Sequence, residues 1–537
     1  MSKSNGREYD PTEIIKSGKA VLGLELGSTR IKATIVGPDS RPLAAGSYGW
    51  ENKFKDGVWT YDMDDVWTGL SSCFGDLISN VETEYGVTLS TFGAGGISGM
   101  MHGYLALDKD GKLLVPFRTW RNNITEEAAT RLTELFNFPI PQRWSIAHLY
   151  QAILNGEAHL PRVARITTLA SLVHSKLTGE HVIGTCEASG MFPVDPATQD
   201  YDATMVDAFD KKIADNGFPW KLRDLLPKIV SAGEAAGRLT DEGAKLLDPK
   251  GRISSGIPFA PPEGDAGTGM VATNSILPRT GNVSAGTSVF AMLVLEKSLS
   301  ALHPEIDRVL TPDGKPVGMV HSNNCTSDLD AWVSLFRQAL ELHGVKVDQG
   351  ELIGTLSKEA LKGDRDAGGL LSYGYISGEH VTGFSEGRPL FVRKPDAPFT
   401  LQNFMRSHLF SSLCALRMGL NILTESEGVE VEQICGHGGF FKTEDIGQRV
   451  MAAATKSSVS VLETAGEGGP WGMALLAAYV VREDRAQSLP GFLEQIFADT
   501  PKSVVEPDPE DVRGFEEYYK RYVAALPVES TAVEKLQ

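Results

Sequence analysis

An aspartate between glycines, Gly264-Asp265-Ala266-Gly267, stands within Pro258-Phe259-Ala260-Pro261-Pro262-Glu263-Gly264-Asp265-Ala266-Gly267-Thr268-Gly269-Met270. The prolines restrict the backbone entering this turn, and the glycines let a ligand approach the main chain. A carboxylate presented in this way can take a proton from a hydroxyl, so Asp265 is read as a catalytic base. If residues 266–273 form a helix, its positive end favours the ionised form by about 0.3–1 kcal/mol. A plain N-cap is the competing role for the same residue. Two further turns carry glycine beside hydroxyl residues, Gly27-Ser28-Thr29 and Gly286-Thr287-Ser288. Backbone N–H groups and Ser or Thr hydroxyls are suited to phosphate oxygens, although either turn alone is also compatible with an ordinary hairpin. Two more loops, Ser98-Gly99-Met100-Met101-His102-Gly103 and Pro116-Phe117-Arg118-Thr119-Trp120-Arg121-Asn122-Asn123, bring ring and amide groups suited to a polar small molecule. A structural histidine and a core tryptophan are the alternatives for His102 and Trp120.

The elements that must position these residues follow from pattern. Val21 to Gly27 reads as a buried strand, 31–36 as its return and 43–48 as the third strand of a meander. The strand, glycine-hydroxyl turn, strand pattern recurs from Gly281 to Leu295, a weak internal repeat that suggests two similar domains. Between the repeats, 64–81 reads as an amphipathic helix, 92–97 as a strand, and 124–135, 146–154 and 170–177 as helices. Beyond them, 328–342 and 404–423 read as helices. Ile434 to Phe440 is a strand entering a glycine turn, 444–454 and 471–481 are helices, and 510–525 is a terminal helix before a frayed tail.

With 537 residues, 42% of them hydrophobic, the chain can build two large domains. A net charge of −18 argues against nucleic acid or an anionic membrane as partner. Five widely spaced cysteines without C-x-x-C spacing read as reduced thiols of a cytoplasmic protein. The polar N-terminus reads as no secretory signal, and no apolar run approaches the about twenty residues of a membrane span. No P-loop motif occurs, and Gly93-Ala94-Gly95-Gly96-Ile97-Ser98 lacks the third glycine and the following helix of a dinucleotide fingerprint.

From about Val21 to Val481 the chain resembles the FGGY family of carbohydrate kinases. Gly23-Leu24-Glu25-Leu26-Gly27-Ser28-Thr29-Arg30-Ile31-Lys32 is similar to the family's first phosphate motif. Gly57-Val58-Trp59-Thr60-Tyr61-Asp62 with Trp67 resembles its Gly-Trp-x-x-x-Asp segment. Met101-His102-Gly103 looks like the xylulokinase-type substrate loop, and Leu177-Thr178-Gly179 with Glu187-Ala188-Ser189 resembles the Leu-Thr-Gly and Ala-Ser segments. Gly264-Asp265 falls at the catalytic aspartate, Gly286-Thr287 at the second phosphate motif and Gly438-Gly439 at the adenosine motif.

The resemblance implies an α/β protein of two actin-like, ribonuclease H-like ATPase domains with a cleft between them. The expected division is an arm at 1–19, a sugar-binding domain at 20–275, an ATP-binding domain at 276–500, and a helix and tail at 501–537. It also implies transfer of the γ-phosphoryl group of ATP, with Mg²⁺, to a primary hydroxyl of a small sugar, and a homodimer as the assembly. Asp265 would be the base. Met101, His102, Trp120, Asn122 and Asp265 would hold the sugar, and Ser28, Thr29, Lys32, Gly286, Thr287, Gly438 and Gly439 the nucleotide. Glu25 and Asp265 would hold the ion. Two departures stand out: Glu25 replaces the family's usual Asp, and Trp120-Arg121-Asn122-Asn123-Ile124 replaces Trp-x-Asp-x-Arg. The Met-His loop points to a ketopentose such as xylulose or ribulose. A weakly active sugar sensor and an actin-like ATPase that phosphorylates no sugar are the rival readings.

Overall fold

Alternation along the first strand decides the architecture. Leu22, Leu24 and Leu26 point to one face while Gly23 and Glu25 point to the other, so one face needs an apolar cover and the other admits a close helix. The computed structural model describes residues 2–4, 7–443, 445–466 and 468–536. Its chain divides into two compact units, one of residues 1–276, 307–317 and 467–499, the other of residues 277–306, 318–466 and 500–537.

In the first unit, β1 (Val21–Leu26), β2 (Arg30–Val36) and β3 (Pro42–Gly49) form the expected meander. Helix α1 (Met63–Tyr85) follows, then β4 (Ala94–Gly99) and the two-residue β5 (Glu263–Gly264), which leads into α2 (Asp265–Ala272). The sheet order is β5-β4-β1-β2-β3, with β4 parallel to both β1 and β5. Helix α1 covers the leucine face through Val66, Leu70, Phe74 and Leu77. It comes so close that a Cβ on Gly46 would lie 2.4 Å from the Cys73 carbonyl oxygen. The Gly93 to Ser98 run is largely buried strand, which removes it as a dinucleotide loop.

In the second unit the same order of events recurs. β6 (Thr280–Ala285) turns into β7 (Val289–Val294), and the sheet continues with β8 (Ile306–Leu310) and β9 (Pro316–Ser322), although residues 307–317 are grouped with the first unit. Helices α3 (Ser327–Leu342) and α4 (Leu401–Asn421) precede β10 (Gln433–His437) and β11 (Ser458–Leu462). With β12 (Lys502–Val505) the sheet order is β8-β9-β7-β6-β10-β11-β12. β6 lies antiparallel to β7 and parallel to β10, as β1 lies to β2 and β4. The repeat read from the glycine turns is therefore a repeat of topology. Helix α4 is buried nearly all round, packing Phe404, Leu413 and Leu416 into the core with Tyr518 and Tyr522.

The structure departs from the expected division where residues 307–317 and 467–499 fall in the first unit. Helix α5 (Gly468–Val480) belongs to the first unit, where it lies on the Gly23 and Gly96 positions of the sheet. A Cβ on Gly23 would stand 1.9 Å from the Pro470 carbonyl oxygen. The presumed N-terminal arm contains a helix, Pro11–Lys16, whose Ile14 and Ile15 are buried. The presumed frayed tail forms a helix, Leu526–Lys535, held where Glu529 accepts a 2.7 Å hydrogen bond from the Arg388 N–H. Among the described residues no helix is long and apolar enough to cross a membrane.

Candidate active site

Three parallel strands of the first unit end level with one another, since Leu26 pairs with Gly99 and Gly99 with Gly264. The Gly27 to Arg30 turn, the Met100 to Gly103 loop and Asp265 all leave the sheet at this carboxyl edge, the edge at which α/β sheets bind ligands. Gly264 is the N-cap of α2 and Asp265 its first helical residue, so the N-cap role does not fall to the aspartate. Asp265 Oδ1 accepts hydrogen bonds from the N–H groups of Ala266 at 2.9 Å and Met101 at 3.4 Å. Asp265 and the Met-His loop are thus joined directly.

Asp265 is half-buried, and the expected ionised form is not the one its surroundings favour. Desolvation, with the Glu25 charge second, pushes its carboxyl up to about 7 against the pull of the Met101 and Ala266 N–H groups. Burial outweighs the helix end here. Behind the turn lies a pair that sequence reasoning passed over. Glu263 accepts from the N–H groups of Glu187 at 2.9 Å and Cys186 at 3.4 Å, tying the short helix Thr185–Ser189 to the strand that leads into Asp265. Burial lifts Glu263 to about 8 and Glu187 well above the carboxylate range. The signal was present in the acidic residue directly before Gly264 and in the Glu187-Ala188-Ser189 segment.

Glu25 points to the α5 face, where its Oε1 would be 2.1 Å from a Cβ on Gly469. Its nearest cation is Lys32, 3.6 Å away across the β1–β2 pair, and desolvation raises its pKa against the Lys32 charge. Lys32 is accordingly engaged with Glu25. Glu25 and Asp265 offer hard oxygen donors within electrostatic reach of each other, a set that suits Mg²⁺, which is held by one or two carboxylates together with phosphate oxygens. Ser28 and Thr29 are exposed at the turn, and the turn is braced from behind. Trp50 Nε1 donates to the Gly27 carbonyl at 2.7 Å and the Tyr61 hydroxyl to the Ser28 carbonyl at 2.6 Å.

His102 is buried at a positive φ of 69°, unusual for a side-chain-bearing residue. Its Nδ1 lies 3.0 Å from the Gly190 carbonyl oxygen, which can only accept, so Nδ1 carries the hydrogen and Nε2 a lone pair. Desolvation and then the Arg143 charge pull the ring down to about 3, keeping it neutral. The ring stacks on Trp144 at 6.3 Å. His102 is therefore an acceptor, able to orient a sugar hydroxyl by taking its hydrogen.

Asn122 corrects the reading of the second loop. Its Oδ1 accepts from the Trp59 N–H at 2.8 Å and its Nδ2 donates to the carbonyls of Trp59 at 2.8 Å and Thr119 at 3.0 Å. The amide is engaged with backbone, where it pins the loop. Trp120 stays 38% exposed, and Arg121 stacks its guanidinium over Trp59 at 3.8 Å.

In the second unit, parallel β6 and β10 bring the Gly286 and Gly438 turns to one carboxyl edge. The Gly286 carbonyl accepts from the N–H of Thr326 at 3.0 Å and from its hydroxyl at 2.9 Å, stapling the turn to the start of α3 and leaving Thr287 exposed. Gly438 has φ 97°, and a Cβ there would meet the Ala285 carbonyl oxygen at 2.4 Å. Only glycine allows these two turns to approach so closely. Gly439 lies exposed beside it.

Fold and site together define a two-domain, actin-like phosphotransferase. The chain belongs to the FGGY family of carbohydrate kinases: the family's N-terminal domain matches residues 20–271 and its C-terminal domain residues 281–481. It is a sugar kinase that uses ATP. A xylulose kinase of Haemophilus influenzae is 22% identical over 442 residues, 80% of this chain and 83% of that protein. Among solved structures, the ligand-bound xylulose kinase of Lactobacillus acidophilus superposes with a TM-score of 0.79 at 16% identity, covering 97% of this chain and all of that one. A gluconate kinase of the same organism gives a TM-score of 0.78 at 17% identity with the same coverage.

Proposed function

We propose that the protein transfers the γ-phosphoryl group of ATP to a primary hydroxyl of a ketopentose, xylulose or ribulose. The observation that carries this reading is the shared strand edge at which Asp265 receives the Met101 N–H beside the acceptor His102. The sugar lies against Met101, His102, Trp120 and Asp265. His102 Nε2 accepts one hydroxyl, and Asp265 accepts the proton of the hydroxyl that attacks. The new bond joins that oxygen to the γ-phosphorus, the bond from phosphorus to the bridging oxygen breaks, and ADP leaves with that electron pair. Ser28, Thr29 and Lys32 hold phosphate oxygens, as do Gly286 and Thr287, while Gly438 and Gly439 hold the adenosine end. Glu25 and Asp265 would hold Mg²⁺, whose chemistry there is to offset phosphate charge. Most of the rate gain in such a transfer comes from positioning and electrostatics.

The test is ADP release with Mg-ATP against ketopentoses, aldoses and polyols, with Asp265→Asn in parallel. One ketopentose raising turnover by orders of magnitude in the wild type alone is the expected result. Stimulation by an aldose or polyol would replace the substrate while keeping the kinase. No stimulation by any sugar in a folded protein would favour the sensor reading. A homodimer, expected from the family, is checked by light scattering on the eluted protein. Five buried free thiols support a reducing compartment, the cytoplasm.

A further inference from the structure

Two neighbouring cavities of the first unit use none of the residues assigned above. One, of about 180 Å³, is lined in part by Arg165, Ser171, His181, Asp224 and Lys228. The other, of about 230 Å³, shares Arg165, Ser175 and His181 with it and adds Lys109, Asp110 and Lys176. They follow the strands Arg165–Thr167 and Val182–Gly184 and the helix Leu169–Thr178. Cations therefore gather along one groove of a molecule whose net charge is −18.

The carboxylates of the groove already have partners. Asp224 accepts from the Lys221 N–H at 3.2 Å, and Asp110 is ion-paired with Lys109 at 3.3 Å. Among the described residues no ion pair engages Arg165, Lys176 or Lys228. Arg165 instead meets His181 Nε2. Desolvation, then the charges of Arg165 and Lys176, lower the His181 pKa against the opposing pull of Glu180, so the ring accepts from Arg165 as a neutral group. A second observation is independent of charge. The Ser171 hydroxyl, on a residue 2% exposed, lines the smaller cavity and has no hydrogen-bond partner among the described residues. A buried hydroxyl left unpaired is destabilising, and a ligand acceptor removes that cost.

We propose that the smaller cavity is an anion site for a phosphate dianion, free or carried by a small sugar, held by Arg165 and Lys228 with the Ser171 hydroxyl donating to it. Planar guanidinium and ammonium groups beside a hydroxyl form the donor set that phosphate takes. The volume suits a single phosphate group or a sugar phosphate and leaves no room for a nucleic acid backbone.

Calorimetric titration of the full chain tests it, with ADP and xylulose present at saturation, using inorganic phosphate and separately xylulose 5-phosphate as titrants. The expected result is one site per chain whose affinity falls about tenfold or more in the double variant Arg165→Gln/Lys228→Gln. The melting temperature and the phosphoryl transfer rate without added phosphate stay unchanged in that variant. Binding of inorganic phosphate supports the free ion as the source, and binding of the sugar phosphate alone supports the product. Ser171→Ala, which removes one donor without altering charge, lowers the same affinity by a smaller factor. No binding of either titrant, or binding of equal strength in the double variant, overturns the proposal.

Discussion

At the residue scale, the groups around Asp265 divide into those that touch the reaction and those that hold them. Asp265→Asn keeps the shape of the turn and removes the proton acceptor, so kcat falls by about 10²–10⁴ while the melting curve is retained; steady-state kinetics beside circular dichroism checks this. His102→Ala removes the Nε2 acceptor and lowers kcat/KM for the accepted sugar by about 10–100-fold. Asn122→Ala, by contrast, loosens a pinned loop. It lowers stability by about 1–3 kcal/mol in urea titration while the ranking of sugars stays the same. The positions of Asp265 and of the glycine turns at strand ends were legible because the residues that mark them are adjacent in the chain. The tautomer of His102 and the engagement of Asn122 were not, because their partners, Gly190 and Trp59, lie 88 and 63 positions away in the chain. His148 shows a further consequence of burial. Desolvation and then the Arg118 charge hold it down to about 3, so the folded state keeps it neutral while the unfolded chain takes up a proton below about 6.5. Its contribution is fully present above pH 6.5 and is lost as pH falls towards 3, about 2 kcal/mol by pH 5. Urea midpoints at pH 7 and pH 5 should therefore lie closer together in His148→Phe than in the wild type.

At the element scale, the site depends on strands ending level and on helices approaching through glycine. The meander, α3 and α4 follow from apolar period and turn residues, which act locally. The alignment of Gly27, Met100 and Asp265 could not be read in this way, since β5 has two residues and no pattern of its own. What places it is pairing with β4, a contact made only in the folded chain. Glycine in the strands carries a comparable burden. Gly23→Ala would drive a methyl into the Pro470 carbonyl and displace α5, at a cost of about 1–3 kcal/mol in urea titration. Gly438→Ala acts on the other sheet. It forces a positive φ and a collision with Ala285, and about 1–3 kcal/mol of strain at the turn raises KM for ATP about tenfold with KM for the sugar little changed.

At the scale of the whole molecule, the chain encloses every cysteine. Cys73, Cys186, Cys325, Cys414 and Cys435 are all buried, and desolvation raises each thiol above its ordinary value. The native protein should react negligibly with a thiol-specific chromogenic disulfide, and in denaturant all five should react. Composition indicated reduced thiols, but only the fold shows that they are sealed. The placement of α5 has a different kind of consequence, one of timing. Residues up to Ile276 contain the whole five-stranded sheet of the first unit, yet the helix that lies on Gly23 and Gly96 is made only after Gly468. At a synthesis rate of about 5–20 residues per second, the ribosome holds that sheet without the α5 cover over Gly23 and Gly96 for about 10–40 seconds. During that interval the nascent chain is open to misassembly and to chaperones, and a gene truncated after Ile276 would leave it so permanently.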